Sequence, residues 1–269
     1  VGISGGGALQ KDIDDFYQAV GIRLLEGYGI TEAAPVLSVR NSRKPRSGCV
    51  GIVFPSAEIK IVAEKEGVPV SSDPLPVNTL GLIMARGDQI MKGYYRQPEL
   101  TKQVIDSDGW LNTGDLGMLS AYNEIKITGR AKDTIVLLGG ENIEPAVIEA
   151  AINGSGFIEF TVVLGQDKKY LAALIVPAKD ALTDWARANG LVYSDYPELL
   201  TLPETQNLIH NEITARITAE NGFRTCERIY RFRLLPESFI PGKELSAKQE
   251  MMRHRINDIY KAEINGLFE

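Results

Sequence analysis

The sequence predicts two units of different class: an α/β unit with a small antiparallel sheet or barrel over residues 1–131, and an α+β unit over residues 132–269. Three observations predict this. A strand–helix–strand pattern opens the chain, and short strands broken by Gly, Pro and Asn-Glu turns run from Gly48 to Gly129. Strands then alternate with helices to the end of the chain. The boundary is expected at Arg130–Asp133, where the texture changes, and a chain of 269 residues suits two domains at about 150 residues each.

Taken in order, Val1–Ser4 reads as a buried strand running into Gly5-Gly6-Gly7. A core strand needs neighbours, so this chain is expected to be the back portion of a longer protein. Leu9–Val20 has helical spacing, with Leu9, Ile13, Phe16, Tyr17 and Val20 on one face. Ile22–Tyr28 reads as a second strand, parallel to the first. Glu58–Val62, Gly81–Ala85, Leu116–Leu119 and Glu124–Thr128 are the short strands of the middle region. Beyond Arg130, Thr134–Leu138 is a strand and Pro145–Ile152 a helix with proline in its first turn. Phe157–Leu164, Leu171–Val176 and Arg228–Leu235 are strands. Ala178–Ala188, Pro203–Asn221 and the amphipathic Ala247–Ile264 are helices.

Composition narrows the function classes. Hydrophobic residues are 44% and charged residues 24%, an ordinary globular balance. No apolar run reaches the ~20 residues of a membrane-spanning helix. The net charge of −6 argues against a dedicated nucleic-acid binder, and the acidity sits in residues 132–269, at −5 against −1 for residues 1–131. Two distant cysteines, Cys49 and Cys226, exclude a disulfide scaffold and fit a reducing compartment, so a cytoplasmic protein is expected. His210 and His254 leave little room for a histidine metal centre.

Four segments carry candidate chemistry. Ser4-Gly5-Gly6-Gly7-Ala8-Leu9 joins strand to helix, where glycines admit a flat ring or phosphate and a helix start favours anions; alone it reads more readily as a tight strand-to-helix turn. Tyr28-Gly29-Ile30-Thr31-Glu32 ends the next strand, the edge at which open α/β sheets bind ligands. There an aromatic can stack on a base, a hydroxyl can meet phosphate, and a carboxylate can help hold Mg²⁺, which takes few protein oxygens beside substrate phosphates. Trp110-Leu111-Asn112-Thr113-Gly114-Asp115-Leu116 offers a carboxylate after a glycine turn, able to accept two ribose hydroxyls or to brace its own turn. Gly129-Arg130-Ala131-Lys132-Asp133, followed by Gly139-Gly140-Glu141-Asn142-Ile143-Glu144-Pro145, falls on the boundary, where a ligand-binding Arg and a hinge are both useful.

The order and spacing of these segments resemble the adenylate-forming superfamily of acyl-CoA synthetases, luciferases and peptide-synthetase adenylation domains. Gln89-Ile90-Met91-Lys92-Gly93-Tyr94-Tyr95, Pro98-Glu99-Leu100-Thr101 and the Lys132–Pro145 stretch match the same pattern, and the branch most resembled is the bacterial long-chain fatty acid CoA ligases. The resemblance implies the end of the large adenylation domain over 1–131 and a mobile small domain over 132–269. It implies activation of a fatty acid by ATP to acyl-AMP, rotation of the small domain, and attack by the CoA thiol. Gly6, Gly7 and Ala8 would lie beside adenine, with Tyr28 stacked on it and Gly29 adjoining. Thr31 would contact the α-phosphate and Glu32 the Mg²⁺. Asp115 would hold the ribose with help from Arg130. Lys132 would be the hinge residue, and Gly139-Gly140-Glu141 the loop of the thioester step.

Two departures from the pattern stand out. The phosphate-binding loop and most of the acyl pocket are absent from this chain, which alone is expected to be inactive. Ungapped alignment through Tyr260-Lys261 also puts Glu250 at the catalytic Lys position. Lys248 is the preferred replacement, Lys243 an alternative, and no catalytic Lys the third reading; a lysine there would neutralise charge developing between carboxylate and α-phosphate. Rival functions are an acyl-adenylate ligase that loads a carrier protein and a non-catalytic nucleotide-binding pseudoenzyme. Peripheral membrane contact of the whole protein stays open. Arg224, Arg228, Arg231 and Arg233 read either as a site for CoA phosphates or, preferably, as a solvated face.

Overall fold

Parallel pairing of β1 (Gly2–Ser4) with β2 (Leu24–Gly29), across helix α1 (Lys11–Ala19), realises the opening strand–helix–strand unit. The computed structural model describes residues 1–7, 9, 11–247 and 249–269, and its contacts divide into two units, Val1–Asp133 and Thr134–Glu269. Ala8 and Lys248, two of the expected site residues, lie outside the described residues.

Two expectations for this first element need correction. β1 is the edge of its sheet rather than a buried strand, and Val1 and Ile3 are 85% and 82% exposed. The apolar stripe of α1 does not cover the sheet either: Ile13, Phe16 and Val20 are exposed, while Asp14 is buried. The reason is electrostatic. Arg40, itself buried, faces the helix and donates to both oxygens of Asp14 at 2.9 Å, so the helix turns its acid inward.

The first unit continues through β3 (Val36–Val39), β4 (Gly51–Val53), β5 (Ala57–Lys65), β6 (Val68–Pro74), β7 (Gly81–Gly87), α2 (Pro98–Val104), β8 (Leu111–Leu119) and β9 (Glu124–Arg130). These strands join β1 and β2 in one nine-stranded sheet of order β1-β2-β3-β4-β9-β8-β7-β5-β6, in which β1–β2 is the parallel pair. The expected separate antiparallel sheet is therefore continuous with the parallel strands. The junction is tight: a Cβ on Gly29 would sit 1.7 Å from the Pro35 carbonyl oxygen, so only glycine lets β3 double back there. Both sheet faces are buried near the centre. Ile61, Ile83 and Ile125 pack on one side, and Val62, Leu82, Met84 and Leu116 on the other. Thr113-Gly114-Asp115 was expected as a turn but lies inside β8. Gly114 has φ +74°, and the β7–β8 register shifts across it, from Leu82↔Leu116 to Met84↔Asn112. This is a bulge, a device that re-aims a side chain without ending the strand.

The second unit begins with a hairpin of β10 (Ile135–Val136) and β11 (Asn142–Ile143), followed by α3 (Pro145–Asn153). β12 (Ile158–Leu164), β13 (Leu171–Pro177) and β14 (Ile229–Leu234) form a sheet in that order. α4 (Lys179–Ala188), α5 (Tyr196–Thr201) and α6 (Pro203–Arg216) lie between β13 and β14 in sequence. β13 is buried along its whole length, with Ala173 and Ile175 towards Ile148, Ile152 and Ile209, and Ala172 and Leu174 towards Ile256 and Leu267. The expected last helix is two helices, α7 (Arg253–Ile259) and α8 (Lys261–Gly266), broken at Tyr260. Residues 247 and 249–252 are not helical because Leu245 and Met251 form an antiparallel bridge, closed by the Ser246 N–H on the Glu250 carbonyl and by Gln249 at φ +63°. α6 ends at Arg216, short of the expected Asn221, where turns at Thr218 and Ala219 take over.

Candidate active site

Asp115 organises the first unit's polar centre. The bulge of β8 points it inward, and the Thr113 hydroxyl fixes the bend, donating to the Ile83 carbonyl at 2.8 Å and accepting the Asp115 N–H at 3.1 Å. The Tyr28 hydroxyl, 87 residues away in sequence, donates to Asp115 Oδ2 at 2.6 Å. Arg130, opposite Asp115 on β9, places Nε 3.1 Å from Oδ1. Tyr28 and Asp115 are buried, while Arg130 is 59% exposed by side chain, so its charge reaches solvent from a buried anchor. Burial, and then the neighbouring Asp115 charge, push the Tyr28 phenol far above its ordinary value, so it stays a donor.

The other candidates of this unit adjoin that centre at the carboxyl ends of β1 and β2. The Gly5–Gly7 loop leaves β1 beside β2, and a Cβ on Gly5 would lie 3.4 Å from the Gly27 carbonyl. Gly6 has φ +88°, and a Cβ on Gly6 or Gly7 would meet open space, so the loop presents bare backbone. Thr31 and Glu32 follow β2 in a single 3₁₀ turn, Thr31–Ala33, with Thr31 exposed.

Sequence reasoning missed what holds Glu32. The Tyr94 hydroxyl donates to Glu32 Oε1 at 2.8 Å, and the Glu32 carbonyl accepts the Met91 N–H at 2.7 Å. Thr101 in turn accepts the Tyr94 N–H at 2.9 Å, and Gly93, at φ +143°, lets the chain pass against the Thr101 side chain. The Gln89–Thr101 motif is thus the brace of the Glu32 turn; its signal was present in the sequence, but its partner lies 62 residues away. Burial, followed by the hydrogen bond to Glu32, raises the Tyr94 phenol, which again remains a donor. Among the described residues no three His, Cys, Asp or Glu side chains group to hold a metal. A Mg²⁺ here would have Glu32 as its one carboxylate and phosphate oxygens for the rest, a donor set this ion accepts.

Lys132 is exposed in the 3₁₀ turn Ala131–Asp133 that closes the first unit. In the second unit Gly139 and Gly140 form the exposed tip between β10 and β11, with Gly140 at φ +86°. Two of the four arginines have partners within the second unit. Arg224 binds Glu227 and, through Nη2 at 2.8 Å, the Asn142 carbonyl, so it clasps the glycine loop instead of standing open to phosphate. Arg231 lies over Tyr170 and reaches the Leu267 carbonyl. Lys243 is 3.0 Å from Glu244, and Glu250 is exposed.

Comparison with known proteins gives this geometry a family. Residues 1–95 match the AMP-binding enzyme model, and residues 132–269 match the AMP-binding enzyme C-terminal domain. The probable acyl-activating enzyme 16, chloroplastic, of Arabidopsis thaliana is 35% identical over 279 residues, covering 100% of this chain and 37% of that protein. A chloroplastic long-chain-fatty-acid–[acyl-carrier-protein] ligase of Arabidopsis thaliana is 43% identical over 189 residues, covering 66% of this chain and 25% of that protein. A long-chain-fatty-acid–CoA ligase of Mycobacterium bovis is 28% identical over 269 residues, covering 99% of this chain and 41% of that protein. The chain therefore spans well under half the length of these relatives. The adenylation domain of a Mycobacterium chelonae carboxylate reductase shares the fold, with TM-score 0.79 at 24% identity over 99% of this chain and 38% of that one. The matches along both units lead to one conclusion: the chain belongs to the AMP-binding enzyme family.

Proposed function

We propose that this chain is the C-terminal part of an ATP-dependent fatty acid–CoA ligase that forms acyl-AMP from a long-chain fatty acid and passes the acyl group to CoA. The observation that carries the reading is the convergence of Tyr28, Asp115 and Arg130 beside the Gly5–Gly7 loop and the Glu32 turn. A carboxylate is a poor electrophile, and adenylation gives it a good leaving group.

In this reading the bare backbone of Gly6 and Gly7 takes the adenine, with Ala8, Tyr28 and Gly29 completing its surroundings. Asp115 accepts the ribose hydroxyls, its carboxylate held in place by Tyr28 and Arg130, and Arg130 faces the sugar–phosphate side. Thr31 donates to the α-phosphate. Glu32, steadied by Tyr94, holds the Mg²⁺, which when bound offsets phosphate charge. Lys248 supplies positive charge between carboxylate and α-phosphate as the adenylate forms. Lys132 is the pivot about which the second unit turns, bringing Gly139 and Gly140 to the site for the thioester step.

The acceptor has a second reading. The 43% identity to a long-chain-fatty-acid–[acyl-carrier-protein] ligase favours a carrier-protein thiol in place of CoA. Fatty-acid-dependent ATP–pyrophosphate exchange by the full-length enzyme tests the activation step. Acyl transfer to CoA or to acyl carrier protein then decides the acceptor. The 269-residue chain alone should give no exchange. An active wild-type enzyme whose Asp115→Ala variant keeps full exchange would end the reading.

A further inference from the structure

The Gly5–Gly7 loop is bare of packed side chains at Gly6 and Gly7 among the described residues. A Cβ at Gly6 or Gly7 would meet no described atom within 4 Å, and Ile13, Phe16 and Val20 of α1 are exposed. The loop's far end is tied by a hydrogen bond instead. The Leu9 N–H donates to Glu26 Oε1 at 3.1 Å, and Glu26 Oε2 accepts Arg40 Nη2 at 2.6 Å. Arg40 also grips Asp14 of α1 through Nη1 and the Cys49 carbonyl through Nε at 3.0 Å. Arg40 and Glu26 are 3% and 6% exposed, so this fork is buried and its geometry is fixed from three sides.

Its position on β2 matters as much as its strength. Glu26 and Tyr28 are two apart on one strand, both buried on the same face. Glu26 reaches the glycine loop, and Tyr28 reaches Asp115. One strand face therefore sets the spacing between the loop proposed for the base and the carboxylate proposed for the ribose.

We propose that Glu26 and Arg40 are positioning residues for nucleotide binding, holding the Gly5–Gly7 loop at a fixed distance from Asp115. The proposal rests on the adenylation reading. A loop left bare so that a ring can approach its backbone cannot be packed down by side chains, and an ionic tether behind it supplies the order that packing would have supplied.

The test uses Glu26→Gln and Arg40→Lys in the full-length enzyme, each checked for a native melting transition. Glutamine keeps an acceptor for the Leu9 N–H but loses the charge that holds Arg40; lysine keeps the charge but loses the fork. Both should raise the KM for ATP about tenfold, as loss of a charged hydrogen bond predicts, with the KM for fatty acid within about twofold of wild type. Amide exchange at Leu9 should quicken in both. An unchanged KM for ATP in a folded Glu26→Gln enzyme would overturn the proposal. So would equal rises in both KM values, the mark of general destabilisation, or an unaltered Leu9 amide. A wild type without fatty-acid-dependent exchange would instead overturn the adenylation reading, whereas variants that behave like an active wild type overturn only the positioning role.

Discussion

Replacing Tyr94 by phenylalanine removes a single oxygen, the one that donates to Glu32 Oε1 at 2.8 Å. The ring stays, and so does the Thr101 grip on the Tyr94 N–H. Hydrogen bonds to a charged acceptor contribute about 1.5–3 kcal/mol, and the lower end applies because Tyr94 is only half-buried and water can take its place. About 1.4 kcal/mol is tenfold in an equilibrium. If Glu32 must be held to meet a Mg²⁺-bound phosphate, Tyr94→Phe should raise the half-saturating Mg²⁺ concentration for ATP–pyrophosphate exchange by about tenfold. Overall stability should fall by no more than about 1.5 kcal/mol, the same lost bond. The assay is exchange by the full-length enzyme across a Mg²⁺ series at saturating ATP, with thermal melting alongside. An unchanged Mg²⁺ midpoint in a folded variant would refute the reasoning, because it would mean that Glu32 needs no brace or meets no metal.

Gly29→Ala should cost about 3 kcal/mol or more, because its Cβ would sit 1.7 Å from the Pro35 carbonyl and neither backbone can yield; urea unfolding that matches wild type would contradict this. Burial opposes the charge of Glu244, yet Lys243, the Ile240 N–H and the Tyr260 hydroxyl prevail and hold its carboxyl below the ordinary 4.5. Its folded value is thus below its unfolded one. The stability it contributes is present above about pH 4.5 and is lost as pH falls through the folded value. Glu244→Gln should flatten that acid limb in urea midpoints measured at neutral and acid pH, and parallel curves for variant and wild type would count against it. Lys248→Ala should abolish pyrophosphate exchange while Lys243→Ala, whose ammonium is already engaged by Glu244, should retain most of it; the reverse pattern would reassign the catalytic lysine.

The parts of the fold that are legible in the sequence are those whose burial is two-sided. β13 is a continuous apolar run, β12 closes on the buried run Val162-Val163-Leu164, and α3 carries proline at its first position, so all three are expected close to where they occur. α1 misleads because its apolar stripe faces outward and Asp14 answers a buried Arg40, which follows β3, a strand the sequence does not announce. β3, β4 and β6 are short or half-exposed and give no strong period. The last helix starts later than its pattern suggests because the Leu245–Met251 bridge competes for residues with good helical spacing.

The site divides the same way. Tyr28, Glu32, Asp115 and Arg130 stand in recognisable segments, and the sequence predicts that they meet. What it does not carry is how they are held. Asp115 is aimed by a bulge whose sign is only a glycine, and Glu32 is braced by a tyrosine 62 residues away. Such contacts are long-range pairings, and no local pattern encodes them.

The most direct measurement is a crystal structure of the full-length enzyme with a non-hydrolysable acyl-adenylate analogue. The account predicts both ribose hydroxyls within hydrogen-bond reach of Asp115, with the base against the backbone of Gly6 and Gly7. A nucleotide bound elsewhere, with Asp115 still occupied only by Tyr28 and its protein partners, would contradict it.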